Sequence, residues 1–197
     1  MPKGIPLTSE EQAARQREIV DIAIRIFRDK GFQRTSMREI AEAAEMGKSS
    51  LYDFFKTKDE IVVFALEEEM TEIIGKTREI VCLELPPNLI LKRVMETNLS
   101  FMKTNNNLLL WLGAETQFLD SAYQKRLKDK HYAYQDMVKS VIEDAISKGL
   151  FRDVNALLAA RLLINSMLAI VVTTRPTGTV EEMLDEAVEI FLSGIKT

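Results

Sequence analysis

The apolar positions of this chain recur every three to four residues, which is the period of a helix. Ser9 and Gln12 have the spacing of a capping box at the start of a first helix, and Gly31 suits a left-handed stop at its end. Ser36 and Glu39 have the same spacing before a second, short helix. No strand-like alternation of any length appears, so the pattern predicts an all-α fold.

A long helix follows these short ones. Thr57 and Glu60 form a third capping-box pair at its start, and the helix is predicted to run to about Leu85, where Pro86 and Pro87 end it. Further helices are predicted over residues 88–104, 107–119, 121–148, 153–174 and 180–195. Breaks between them fall on Asn, Gly and Pro residues.

Three short helices with a tight turn between the second and third are the layout of a helix-turn-helix. The second helix of that motif enters the major groove. Here Leu51 and Phe55 can fix the third helix to Ile40 and Phe27, while its leading end stays outside. We therefore expect a three-helix DNA-binding domain in the first 58 residues.

The domain organisation follows from these elements. Residues 1–58 form the predicted DNA-binding domain, in which residues 1–8, with two prolines and a glycine, read as a flexible arm. Residues 59–197 form a larger C-terminal helical bundle.

The first third of the chain resembles the N-terminal signature of TetR-family (tetracycline repressor-like) transcriptional regulators. The resemblance rests on Gly31-Phe32, Thr35-Ser36, Ile40-Ala41, Ala44, Leu51-Tyr52, Phe55 and Lys58. It implies a homodimeric repressor with these DNA-binding residues: Thr35, Ser36, Arg38, Lys48, Ser49, Ser50, Tyr52 and Lys58. Among these, the resemblance assigns phosphate contacts to Thr35 or Ser36, Tyr52 and Lys58, and contacts to bases or nearby phosphates to Lys48, Ser49 and Ser50.

Three positions depart from the family pattern and bear on the operator sequence. Glu45 stands where the family has a turn glycine, so either a residue with a β-carbon takes the turn or the turn differs. Gly47 replaces the usual serine and caps the third helix less strongly. Phe54 stands where the family has His or Tyr, which removes one polar contact with DNA. Asp53 adds a negative charge to the third helix, and its carboxylate could accept a hydrogen bond from a cytosine amino group.

Two C-terminal segments are broadly apolar. Residues 154–174 are apolar on nearly every side, and residues 180–195 carry a wide apolar stripe opposite acidic side chains. A helix that is apolar all round has to be covered all round. A membrane span is the obvious alternative, but Asn155, Arg161 and Asn165 interrupt the run. We expect a four-helix dimer interface, with burial of both helices in their own chain as the alternative.

The resemblance also implies that residues 59–197 form a ligand-binding and dimerisation domain, whose middle helices hold a small-molecule effector of unknown identity. The simplest such effector is an apolar one that releases the repressor from its operator. The candidate ligand-binding residues are Met95, Asn98, Met102, Trp111, Glu115, Phe118, Tyr134, Met137 and Asn165, with Phe101 and Gln117 beside them. Methionines and aromatics form adaptable cavities, although the same spacing also describes ordinary core.

Composition excludes little but favours a binder over an enzyme. The net charge is −4, yet residues 1–58 hold 11 Lys/Arg against 9 Asp/Glu, a bias that favours DNA only weakly. The single histidine, His131, reads as an ordinary helix residue, and Cys82 as inert packing. No metal or cofactor is expected. The sequence shows no hydrophobic signal segment, so we expect a cytoplasmic location. A protein-binding helical adaptor, or an all-α enzyme, are the alternative functions.

Overall fold

The structure is a computed structural model that describes residues 8–104 and 115–196. Within that part the chain forms eight α-helices. They are α1 (Ser9–Lys30), α2 (Met37–Ala43), α3 (Lys48–Phe54), α4 (Lys58–Val81), α5 (Pro87–Thr104), α6 (Ser121–Ser147), α7 (Ala156–Val171) and α8 (Val180–Ile195). The all-α prediction is confirmed. Most of the helix expected at 107–119, including Trp111, falls outside the described residues, and Glu115–Phe118 forms a 3-10 helix.

Local capping explains where the N-terminal helices begin. Ser36 and Glu39 form the predicted capping box of α2. The box of α1 is instead made by Thr8 and Glu11, one residue before the predicted pair, so the prediction of Ser9 was wrong. Glu11 offers a carboxylate, which accepts a backbone N–H more strongly than the amide of Gln12 does.

The turn after α2 places Glu45, which has a β-carbon, in the left-handed conformation. Its φ is 51°, in the left-handed region that favours glycine. The amide of Met46 donates to the carbonyl of Ala41 over 3.0 Å, and that of Glu45 donates to Glu42 over 3.2 Å. These two bonds are the Schellman ending of a helix, here built on a residue with a side chain.

One apolar core holds the three short helices and the start of α4 together. Phe27, Ile40 and Leu51 are fully buried at its centre, with Phe55 beside them, as predicted. The same core extends along α4 to Leu66 and takes in Leu119 and Leu127 from the region of α6. The N-terminal head, formed by α1, α2 and α3, is therefore joined by continuous apolar packing to the C-terminal helical bundle. The division at residue 58 stays a prediction.

A second core fills the C-terminal bundle. It is formed by α5, α6, α7 and α8, with Met95, Val138, Leu163 and Met167 almost completely buried. None of the helices in the described ranges is both long and apolar enough to span a membrane. Cys82, expected to be packed, is the exposed C-cap residue of α4, because the helix ends before Leu85.

The corner between α6 and α7 holds the end of the chain. Gly149, with a φ of 69°, ends α6 and turns the chain toward α8. The amide of Arg152 donates to the carbonyl of Ile195 over 2.9 Å, and its guanidinium Nε donates to the carbonyl of Gly194 over 2.6 Å. The last turn of α8 is thus fastened to the corner of the bundle.

Candidate DNA-reading surface and effector cavity

The leading end of α3 is the exposed part of the head. Lys48, Ser49 and Ser50 are exposed in its first turn, whereas Leu51 is fully buried. Gly47 is the N-cap and makes no side-chain hydrogen bond, so the first amides of α3 remain open to a partner. Tyr52 is half-buried, with the Lys48 ammonium 5.7 Å from its ring centroid. This surface offers a cation, two hydroxyls and a helix N-terminus.

The start of α2 provides two further exposed side chains, and the residue just before its N-cap provides a buried one. Ser36 is exposed at the N-cap, and Arg38 is exposed while pairing with Glu42 over 2.7 Å. Thr35 is only 3% exposed. Its hydroxyl donates to the carbonyl of Gly31 over 2.9 Å. Thr35 therefore fixes the loop before α2, and Ser36 is the residue of this pair that can reach DNA.

Lys58 makes contacts within the chain in addition to the phosphate contact that the resemblance implies. Its ammonium lies 2.8 Å from the carbonyl oxygen of Phe32, 3.3 Å from that of Gln33 and 3.2 Å from that of Thr35. It also lies 4.5 Å from the ring centroid of Phe32. Its three protons thus face three carbonyls of the loop between α1 and α2. We propose that Lys58 ties α4 to this loop, and its phosphate contact stays a prediction.

Glu39 and Lys30 add a surface contact across the same loop. The Lys30 ammonium lies 2.6 Å from the Glu39 carboxylate. Hydrogen bonds from Lys30 first, and then from the amide and hydroxyl of Ser36, lower the pKa of Glu39 to about 2. The end of α1 and the start of α2 are therefore held together by a charged pair that persists at neutral pH.

The C-terminal bundle contains a cavity of about 570 Å³, within the range of small-molecule sites. Helices α4, α5, α6 and α7 contribute its walls. The apolar lining residues are Leu66, Met70, Ile73, Ile74, Phe101, Met102, Leu127, Ile164 and Leu168. The polar ones are Asn98, Thr116, Gln117, Gln124, Lys128, His131, Tyr134 and Asn165. The cavity fits a largely apolar ligand with a polar part.

Six of the residues predicted to bind ligand line this cavity: Asn98, Phe101, Met102, Gln117, Tyr134 and Asn165. Asn98 donates its amide N–H to the phenol oxygen of Tyr134. Burial raises the pKa of Tyr134, and the bond from Asn98 opposes that rise. The phenol therefore stays neutral and remains a polar group within an apolar wall.

The other candidates lie elsewhere or cannot be placed. Met95 is 1% exposed in the bundle core, one turn of α5 away from the wall, because its side chain packs against neighbouring helices. Met137 is half-buried and lies outside the lining, and Phe118 is 66% exposed. Trp111 and the side chain of Glu115 lie outside the described part of the chain.

Sequence reasoning missed the polar face of α6. Gln124, Lys128 and His131 line the cavity and follow one another at four and three residues, in register with Tyr134. That spacing places them on one helix face, and it is the sequence pattern from which these residues could have been predicted to line the cavity. Partial desolvation first, and then the charge of Arg161, lower the pKa of His131, while part of this residue stays exposed to solvent.

Helices α7 and α8 leave an apolar stripe uncovered. Leu158 and Leu162 on α7 are 54% and 59% exposed, Val172 just beyond it is 58% exposed, and Ile190 on α8 is 67% exposed. The first three lie at helical spacing on one side of α7. An aligned apolar stripe of this kind is typical of a protein interface, and it falls on the two helices predicted to form the dimer.

A helix-turn-helix head joined to a helical bundle with a cavity defines a class, the ligand-responsive DNA-binding transcription regulators. The chain belongs to the TetR family. Residues 19–63 match "Bacterial regulatory proteins, tetR family" and residues 85–195 match "Tetracyclin repressor-like, C-terminal domain". Regulators of this family are dimeric and bind operator DNA.

Relatives of known function are transcription regulators, not enzymes. The chain is 27% identical over 188 residues to the HTH-type transcriptional repressor KstR2 of Rhodococcus jostii (strain RHA1), covering 93% of this chain and 92% of the relative. FadR from Bacillus subtilis, solved with stearoyl-CoA, shares the fold with a TM-score of 0.77, 18% identity and coverage of 91% and 98%. AibR, solved with isovaleryl coenzyme A and operator DNA, has a TM-score of 0.75, 24% identity and coverage of 89% and 97%.

Proposed function

We propose that this protein is a cytoplasmic repressor that leaves its operator when an acyl-coenzyme A thioester enters the cavity of the bundle. One observation carries this proposal. Leu66 and Leu127 belong both to the wall of the cavity and to the core of the DNA-binding head. A ligand that displaces either side chain therefore acts directly on the packing of the head.

The choice of effector rests on the chemistry of the cavity together with the relatives. The wall is apolar over α4 and, apart from Asn98, over α5, and it carries Gln124, Lys128 and His131 along α6. An acyl chain suits the first part, and the polar, anionic remainder of a coenzyme A thioester suits the second. Two proteins of the same fold were solved with acyl thioesters of coenzyme A.

We assign DNA contacts to six side chains on the exposed face of the head. Lys48, Ser36, Arg38 and Tyr52 contact phosphates, and Ser49 and Ser50 approach base edges. Loss of a phosphate contact weakens binding to all sequences and lowers the salt dependence, whereas loss of a base contact changes sequence preference. Ser49→Ala and Ser50→Ala should therefore shift the selected sequence, and Lys48→Met should not.

The test begins with selection of a bound duplex from a random library by the purified protein. Affinity for that duplex is measured by fluorescence anisotropy at several salt concentrations. A repressor loses affinity steeply as salt rises. A helical adaptor or an enzyme shows little affinity at any salt concentration, and that result would overturn the DNA-binding proposal.

The effector is then tested by titrating the protein–duplex complex with acyl-coenzyme A of increasing chain length, with free coenzyme A as the control. Release by the thioesters alone supports the proposal, and no release by any of them contradicts it. Met102→Trp fills the cavity and should abolish release while leaving DNA affinity intact. Met137→Trp, at a half-buried methionine outside the lining, should respond like the wild type.

A further inference from the structure

A chain of polar side chains leads from the cavity wall to the outer side of α7. The ring nitrogen Nε2 of His131 lies 2.7 Å from the amide nitrogen of Gln135. The oxygen of that amide lies 3.2 Å from the guanidinium Nε of Arg161 on α7. Gln135 is 6% exposed, so its amide has to be satisfied by these neighbours.

The proton of His131 can be placed from these contacts. A guanidinium can only donate, so the Gln135 oxygen faces Arg161 and the Gln135 amide nitrogen faces His131. An amide nitrogen also only donates, so Nε2 of His131 is the acceptor and carries no proton. The imidazole is therefore neutral, with its single proton on Nδ1. The lowered pKa of His131 agrees with this assignment.

The remaining ring nitrogen has no partner of its own in the part of the chain that the structure describes, where Gln135 is the one hydrogen-bonding partner of His131. The ring lines the cavity. A donor held in one tautomer on the polar face of α6, opposite the apolar side chains of α4, selects ligands that carry an acceptor there.

We propose that His131 is a specificity-determining residue, which donates a hydrogen bond from Nδ1 to a carbonyl oxygen of the effector, with Gln135 as its positioning residue. This inference rests on the proposed function, in which that oxygen belongs to the thioester of the acyl-coenzyme A. Lys128, one turn earlier on the same wall, is available for the anionic part of the same molecule.

The tautomer can be measured without any ligand. His131 is the one histidine of the chain, so a long-range proton–nitrogen NMR spectrum of the imidazole shows a single ring. We expect the neutral Nδ1–H form at pH 7. Gln135→Glu places a carboxylate between Arg161 and His131 and should raise the histidine pKa by about one pH unit or more. An Nε2–H form in the wild type, or an unchanged pKa in the variant, overturns the positioning role.

The contact to the effector is tested with a pair of ligands. Wild-type protein should bind an acyl-coenzyme A about three- to tenfold more tightly than the matching alkyl thioether, which lacks the carbonyl oxygen. His131→Phe should bind the two ligands equally. Tyr132→Phe, at a neighbouring residue that is 50% exposed and outside the cavity lining, should discriminate like the wild type.

The outcomes separate the two proposals. Equal affinity of the wild type for thioester and thioether overturns the role of His131 and leaves the effector class standing. Absence of binding to either ligand overturns the effector class, and with it the identity of the oxygen that His131 meets.

Discussion

The two lysines Lys48 and Lys58 should respond in opposite ways to the same substitution. Lys58→Met removes an ammonium that faces the carbonyls of Phe32, Gln33 and Thr35. Hydrogen bonds to a charged donor contribute about 1.5–3 kcal/mol. The free energy of unfolding should fall by about that amount, which for a chain of this size lowers Tm by about 3–12 °C.

Lys48→Met is the matched control, because Lys48 is exposed and its ammonium lies over the ring of Tyr52. Its effect on stability should stay within about 0.5 kcal/mol. In DNA binding, the salt dependence of its affinity should be smaller than that of the wild type by the amount expected for the loss of about one phosphate contact. Both variants are compared by calorimetry at one protein concentration, since dimerisation makes Tm depend on concentration.

The salt dependence decides between the two roles of Lys58. Measured at a temperature where Lys58→Met remains folded, its salt dependence should equal that of the wild type. A reduced salt dependence with unchanged Tm would show that Lys58 contacts phosphate, as the family resemblance implies, and would refute the structural role given to it here.

Three further variants follow from the geometry. Glu45→Gly should raise the free energy of unfolding by about 0.5–1 kcal/mol in urea titrations, because glycine avoids the cost of φ 51° but is more flexible when unfolded; Glu45→Ala should give no such gain. Leu162→Glu should weaken the dimer more than about a hundredfold in analytical ultracentrifugation, while Tyr132→Glu should not. Lys30 and Ser36 lower the pKa of Glu39 from 4.5 to about 2. The stability that the folded protein gains from ionised Glu39 is therefore complete above pH 4.5 and is lost as the pH falls toward 2. Glu39→Gln should remove that part of the acid dependence in thermal melts, and an unchanged profile would contradict the pairing.

Local patterns allowed the helices to be predicted because their causes are local. Ser36 and Glu39 lie within one turn, and the left-handed turn at Glu45 follows from the spacing of the motif around it. The start of α1 was misplaced by one residue because Thr8 and Ser9 are adjacent and each is followed, three positions later, by a residue that completes a box. Spacing alone does not distinguish two overlapping boxes.

The functional residues were harder to predict where they depend on distant contacts. The position of Lys58 in the motif is local, but its carbonyl partners lie up to 26 residues earlier, so the direction of its flexible side chain could not be predicted. Met95 and Met102 share a helix and a chemistry. Only packing against the other helices decides that Met95 is core and Met102 lines the cavity.

The fastening of α8 at the corner after α6 has a mechanical consequence. Arg152 holds the carbonyls of Gly194 and Ile195, and Phe151 pairs with Lys196 in an isolated β-bridge. The far end of α8, which carries Ile190 of the exposed apolar stripe, is therefore anchored to the end of α6, the helix that carries Gln124, Lys128 and His131 of the cavity wall. A displacement of the C-terminal end of α6 should therefore move the end of α8 with it, because these contacts tie the two helix ends together.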